Sequence, residues 1–115
     1  MPDNIYFLDA SYVIALSVSQ DEFHEQAIKW AQEIQRTKSK LITTTAVLLE
    51  IGNSLARQRY RSAAIKLLNA LESDPTIKII NMSGKIYQAA LRLYRERQDK
   101  EWGLTDCASF VVMKQ

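Results

Sequence analysis

The stretch Ile5-Tyr6-Phe7-Leu8-Asp9-Ala10-Ser11 decides how this chain is read. Four apolar or aromatic residues follow one another without polar alternation, which predicts a strand covered on both faces, as in parallel sheets. A carboxylate, a small residue and a hydroxyl come next, and residues 11–18 continue as a helix. Open α/β sheets bind ligands outside the carboxyl ends of their strands. Asp9 therefore stands where such a domain places a site, although an Asp there would serve equally as a helix N-cap.

Reading outward from this strand, Ala27, Ile28, Ala31 and Ile34 recur at helical spacing and predict an amphipathic helix over residues 23–38. Leu41-Ile42-Thr43-Thr44 reads as a second strand. A helix over 45–60 follows, with Val47, Leu48, Ile51 and Leu55 as its apolar stripe and Gly52 permitting close backbone approach. Ser62 is read as the cap of a further helix to Leu71, and Ser73-Asp74-Pro75 as a turn. Ile77-Lys78-Ile79-Ile80 is a third strand. Ser83 caps a helix to about Gln98 with Ile86, Ala90, Leu93 and Tyr94 inward, and after a loop at 99–103 residues 104–115 form a largely apolar helix.

Strands alternating with helices predict one α/β domain over residues 1–115, three layers α/β/α around a small parallel sheet. The chain ends inside the last helical pattern with no Gly or Asn cap behind it, so the terminal strands of the sheet are expected to be missing.

The bulk properties narrow the function classes. With 47% hydrophobic and 24% charged residues, the class is soluble and globular. A net charge of +2 is too small to argue for nucleic acid by itself. The single cysteine, Cys107, excludes an internal disulfide and fits a reducing, cytoplasmic setting. One Cys and one His argue against a thiolate or imidazole zinc site. Asp3 and Asp9 are wrong for a signal peptide, and no run approaches the ~18 apolar residues of a membrane span.

Three acids fall at the ends of elements that converge on one edge of the sheet: Asp9, Glu50 and Asp106. Each has an ordinary explanation. Asp9 suits a cap; Glu50 lies beside the Val47/Ile51 stripe, where it could pair with Arg57; Asp106 sits in the first turn of its helix behind Thr105 as cap. Asp106 also shares a face with Phe110 and Met113, which are expected to be buried, and a buried carboxylate needs a partner or a cation. Together the three would repel one another unless protons or a cation neutralise them. Hard oxygen ligands favour Mg²⁺ or Mn²⁺, and such a site can activate water for phosphoryl displacement. Ser11 and Thr105, each next to an acid in position, could hold a carboxylate or a water. Asp99 lies in the charged loop Arg97-Gln98-Asp99-Lys100-Glu101 and is expected to be solvated.

Phe7-Leu8-Asp9-Ala10-Ser11, Thr44-Thr45-Ala46-Val47-Leu48-Leu49-Glu50-Ile51 and Trp102-Gly103-Leu104-Thr105-Asp106-Cys107-Ala108-Ser109-Phe110 resemble, in order and spacing, the PIN-domain family. That family comprises metal-dependent nucleases, many of them VapC-like toxins of toxin–antitoxin pairs. The resemblance implies a ribonuclease with an acidic site for Mg²⁺ or Mn²⁺. Asp9, Glu50 and Asp106 would be the metal ligands, Asp99 a further acid, and Ser11 a hydroxyl near the site. It also implies an antitoxin protein as partner and a homodimer through the early helices, with Trp30 a candidate contact. The family usually adds a strand that ends in another acid and pairs with the first strand. This sequence stops before it, so the free edge of residues 5–8 is expected to be covered by another chain or a rearranged segment.

Arg57, Arg59 and Arg61 could meet RNA phosphates, as could Lys85, Gln88, Arg92 and Arg95 on one helix face, although a solvated face explains such groups too. Trp30 and Trp102 could stack on bases or pack internally. His24 reads as a surface residue and Cys107 as a small buried one. The rival function is a non-catalytic PIN-like binding module without a complete metal site. A haloacid-dehalogenase-type phosphohydrolase would want an Asp where Ser11 stands, and a receiver domain an Asp at the end of the third strand, where Asn81 follows Ile80.

Overall fold

The computed structural model describes residues 5–114; Asp3 and Gln115, which figure in the readings above, lie outside them. Three short strands, β1 (Ile5–Phe7), β2 (Lys40–Thr44) and β3 (Ile77–Ile80), form a parallel sheet in the order β1-β2-β3. Helices α1 (Ala10–Ser17) and α2 (His24–Thr37) connect β1 to β2, and α3 (Thr45–Ser54) and α4 (Gln58–Ser73) connect β2 to β3. Helices α5 (Gly84–Glu96) and α6 (Leu104–Met113) follow.

Alternate residues of each strand face opposite layers. Leu41 and Ile77 pack with Leu8, Val13, Val47, Ile51 and Leu71 in a core built by α1, α3 and α4. Ile42 and Ile80 pack with Ile86, Ala90, Cys107, Ala108 and Val112 in a second core built by α5 and α6. The architecture is thus the three-layer α/β/α arrangement expected, with each sheet face covered by its own helices.

Several local readings are corrected. The helix anticipated over 45–60 breaks at Leu55–Arg57, and Ser62 lies inside α4 instead of capping it. No Gly or Pro marks this corner. Leu55 turns into the core, at 6% exposure, and the Arg61 guanidinium donates twice to the Ala56 carbonyl, at 3.1 and 2.8 Å. A side chain thereby satisfies a carbonyl at the corner. A Cβ on Gly52 would meet Leu68 only at ordinary contact distance, so no close approach requires glycine there. Tyr94, expected inward, is exposed. His24, expected at the surface, is half-buried and its Nδ1 donates to the Ala15 carbonyl at 2.8 Å, clasping α2 to α1.

The first strand is an edge of the sheet. Among the described residues β1 pairs only with β2, and no segment of this chain lies along its other side. Ile5 is 65% exposed, Tyr6 and Phe7 are half-buried, and only Leu8 reaches the core. The uninterrupted apolar run is read as burial on both faces, but an edge strand exchanges part of that burial for solvent. A cleft of about 270 Å³ lined by Tyr6, Asp9, Trp30 and Ile34 adjoins it.

Lys38 closes α2 in the left-handed region, at φ 52°, with its N–H returning to the Gln35 and Ile34 carbonyls. A residue with a Cβ costs about 1 kcal/mol in that conformation and glycine does not. Lys38→Gly should therefore raise stability by about 0.5–1 kcal/mol in urea unfolding, with the m-value unchanged.

Candidate active site

Three consecutive threonines at the end of β2 place the acids. The Leu8 N–H donates to the Ile42 carbonyl at 2.8 Å, continuing the β1–β2 ladder. The Thr43 hydroxyl then donates to the Leu8 carbonyl, also at 2.8 Å and fully buried. Leu8, the residue that delivers Asp9, is therefore held to β2 through both its backbone N–H and its backbone carbonyl. Thr44, with no exposed surface, accepts from the Val47 N–H at 3.2 Å and caps α3, the helix that carries Glu50. The Thr45 hydroxyl accepts from the Met82 N–H at 2.9 Å, which ties the start of α3 to the connection between β3 and α5. The sequence gives Thr43 no motif; the only available signal was three β-branched hydroxyl residues at the end of a strand, where a hydroxyl can serve backbone that leaves the ladder.

Asp9 is the N-cap of α1, and its carboxylate accepts from the Tyr12 N–H at 2.8 Å. Asp106 occupies the third position of α6 and accepts from the Gly103 N–H at 3.0 Å, so Gly103, not Thr105, takes the cap position. Phe110 is only half-buried and Met113 is 52% exposed, so the face Asp106 shares with them is not a buried one. Both carboxylates lie at the positive ends of helices, where a negative charge is favoured. Glu50 is exposed and makes no ion pair with Arg57.

The three acids nonetheless sense one another. The Glu50 carboxyl is pushed above its ordinary value of 4.5, first by partial burial, then by the charges of Asp106 and Asp9. None of the three has a cationic partner among the described residues. Asp99 stands apart from this set. The Arg97 guanidinium donates to both its oxygens, at 3.0 and 3.1 Å, and holds its carboxyl below the usual range. The Ser11 and Thr105 hydroxyls make no hydrogen bond to an acid among the described residues. As placed, no three described His, Cys, Asp or Glu side chains are gathered closely enough to ligate one ion. The donor chemistry itself fits a hard cation: oxygens only, mutually repelling, and neutralised by no basic side chain.

Of the arginines, Arg61 is engaged with Ala56, Arg59 lies over the Tyr60 ring at 4.7 Å, and Arg57 is exposed at the α3–α4 corner. Cys107, directly behind Asp106, is fully buried, and burial pushes its thiol up.

The PIN domain family model matches residues 6–115. The chain belongs to the PIN domain family. Among solved structures, the domain is similar to that of VapC20 from Mycobacterium tuberculosis, described as a Sarcin-Ricin loop cleaving toxin. The TM-score is 0.81 at 22% identity, over 96% of this chain and 82% of that one. At that identity the likeness shows the fold. No curated protein matches the sequence. Among the described residues, no helix of this PIN domain is long and apolar enough to cross a membrane.

Two predictions follow from the geometry. Thr43→Val keeps the shape but leaves the buried Leu8 carbonyl without its donor, which should cost about 1–3 kcal/mol in urea unfolding. Glu50→Gln should have the opposite sign in metal-free buffer. An acid whose folded-state value is raised binds its proton more tightly when folded. Its penalty is absent below the unfolded value of 4.5, grows as pH rises through the folded value, and is complete above it. The variant should therefore gain about 0.5 kcal/mol at neutral pH, discounted for solvent screening, and nothing near pH 4. Paired thermal melts at the two pH values check this.

Proposed function

We propose that this PIN domain is a metal-dependent endoribonuclease, with Asp9, Glu50 and Asp106 as the ligands of Mg²⁺ or Mn²⁺. The observation that carries the reading is the coupling of Glu50 to both Asp106 and Asp9 with no basic side chain among the described residues to neutralise them. Such a set is at rest only when a proton or an external cation joins it. Bound there, the cation would supply Lewis acidity for hydrolysis of an RNA phosphodiester. The protein's own contribution is positional. Asp9 and Asp106 each give one carboxylate oxygen to a helix cap and keep the other without a hydrogen bond, so both face the site with a restricted range of directions. Ser11 and Thr105, in the first turns of the same two helices, are proposed to orient waters around them. Asp99 joins the set only by releasing Arg97. Arg57 and Arg59 are proposed contacts for RNA phosphates; Arg61 serves the corner of the fold.

The family and the fold shared with a VapC toxin support reading the chain as the toxin half of a toxin–antitoxin pair, acting on RNA in the cytoplasm and restrained by an antitoxin protein. Exposed Trp30 and Phe23, at 51% and 58%, support a homodimer contact on the α2 side. A second reading, a PIN-like binding module without catalysis, is favoured by one observation: the acids as placed do not close around an ion.

Asp9→Asn separates the two. Asparagine keeps the cap on Tyr12 and removes the charge. On the nuclease reading, Mn²⁺ raises the melting temperature of the native chain, and the variant loses both this stabilisation and Mn²⁺-dependent RNA cleavage while its circular dichroism is unchanged. Cleavage at the native rate in the variant would remove Asp9 from the mechanism. Absence of any Mn²⁺-dependent shift in the native chain would leave the binding module.

A further inference from the structure

A cleft of about 480 Å³ opens beside Asp106, between the end of α5 and the start of α6. Its walls include Tyr94, Lys100, Glu101, Trp102 and Gly103. Its volume falls within the range of small-ligand clefts, about 300–1,000 Å³. Gly103 belongs to both places, since it lines the cleft and its N–H holds the Asp106 carboxylate at 3.0 Å. Whatever enters the cleft therefore lies next to the acidic site.

The cleft's chemistry is specific. Tyr94 is 48% exposed on α5, at a position whose helical spacing would otherwise turn it inward. Trp102 is half-buried and held in place from behind by an edge-on contact with Phe110, 4.9 Å between centroids. Arg97 and Lys100 approach its ring at 5.4 and 5.8 Å. Arg97 is neutralised by Asp99, whereas Lys100 has no carboxylate partner among the described residues. The cleft thus offers two aromatic rings, one of them braced, one cation, Lys100, that lies over the Trp102 ring without a carboxylate partner among the described residues, and, in Glu101, one acceptor. Aromatic rings with a neighbouring cation are how proteins hold unpaired nucleotides, and a carboxylate accepts from the exocyclic amines of bases. An acidic peptide, the other polymer a lysine would attract, offers neither a flat face for the Tyr94 and Trp102 rings nor an exocyclic amine for Glu101.

We propose that this cleft is a base-binding subsite, in which Tyr94 and Trp102 receive an unpaired nucleobase of the RNA and Lys100 meets its phosphate. The inference rests on the ribonuclease reading for the identity of the polymer. It adds a specificity element: RNA must present an unstacked base next to the bond that is cut. Tyr94 and Trp102 would hold the base and take no part in the bond cleavage itself.

Binding can be read without cleavage. The chain has two tryptophans, so Trp30→Phe leaves Trp102 as the sole reporter, and Glu50→Gln with chelator prevents turnover. Short single-stranded oligoadenylate and oligouridylate should quench Trp102 emission saturably, and an RNA duplex of the same length far less. Tyr94→Ser, a change at an exposed position, should weaken the single-strand interaction roughly 5- to 100-fold. Lys100→Gln should weaken it less and flatten its salt dependence. Absence of saturable quenching, equal quenching by duplex, or affinity unchanged in Tyr94→Ser would each overturn the subsite. Quenching by polyglutamate equal to that by RNA would assign the cleft to a protein partner instead. If the native chain with Mn²⁺ fails to cleave RNA but quenching persists, the nuclease reading falls and the subsite stands; cleavage without quenching gives the reverse.

Discussion

A single buried hydrogen bond, from the Thr43 hydroxyl to the Leu8 carbonyl, sets where the first strand stops being a strand. With the Leu8 N–H already spent on Ile42, the backbone has no freedom left at the point where the chain turns into α1. Asp9 therefore enters its cap from a fixed direction. The neighbouring threonines extend the same logic, one starting α3 and the other binding the loop after β3. A sheet of strands only three to five residues long has little ladder of its own. Hydroxyls at its carboxyl edge supply the missing connections, and that edge is where the acids assemble.

The acids are tolerable there because two of them sit on helix N-termini. Carboxylates that repel one another through space are each favoured by the peptide dipoles of the helix they cap. Glu50 lacks such support, and partial burial followed by the charges of Asp106 and Asp9 pushes its carboxyl upward. The hydrogen bonds that tie Asp9 and Asp106 to the first turns of their helices also restrict the directions their carboxylates can face. Cap and ligand are not competing explanations when a carboxylate has two oxygens.

Much of this was legible in the residues. All three strands, the alternation of layers and the caps at Asp9 and Ser83 follow from apolar periodicity and short polar side chains. Topology brings Asp9 and Glu50 toward one edge, since α1 and α3 each follow a parallel strand, whereas α6, which carries Asp106, follows another helix. What was not legible has physical causes. The α3–α4 corner is made by the Arg61 side chain and the burial of Leu55, neither of which leaves a local breaker. The cap at Gly103 was misassigned to Thr105 because Asp106 supplies the bond from inside the helix. The free edge of β1 was expected, but no rearranged segment among the described residues covers it, and Ile5 stands exposed. The outward turn of Tyr94 is a tertiary choice that helical spacing contradicts.

The two cores also divide the molecule. Asp9 and Glu50 ride on elements that pack in the first, Asp106 on a hairpin of helices that packs in the second. The thin sheet, the hydrogen bond from Met82 to Thr45 and the seam between α3 and α6 join them. Proteins built this way open in pieces, each cooperative unit exchanging its amide hydrogens at its own free energy. The acidic constellation is then not a property of any one unit. Asp106 belongs to one unit and Asp9 and Glu50 to the other, so the nearness of the three depends on the seam between the units as well as on the stability within each.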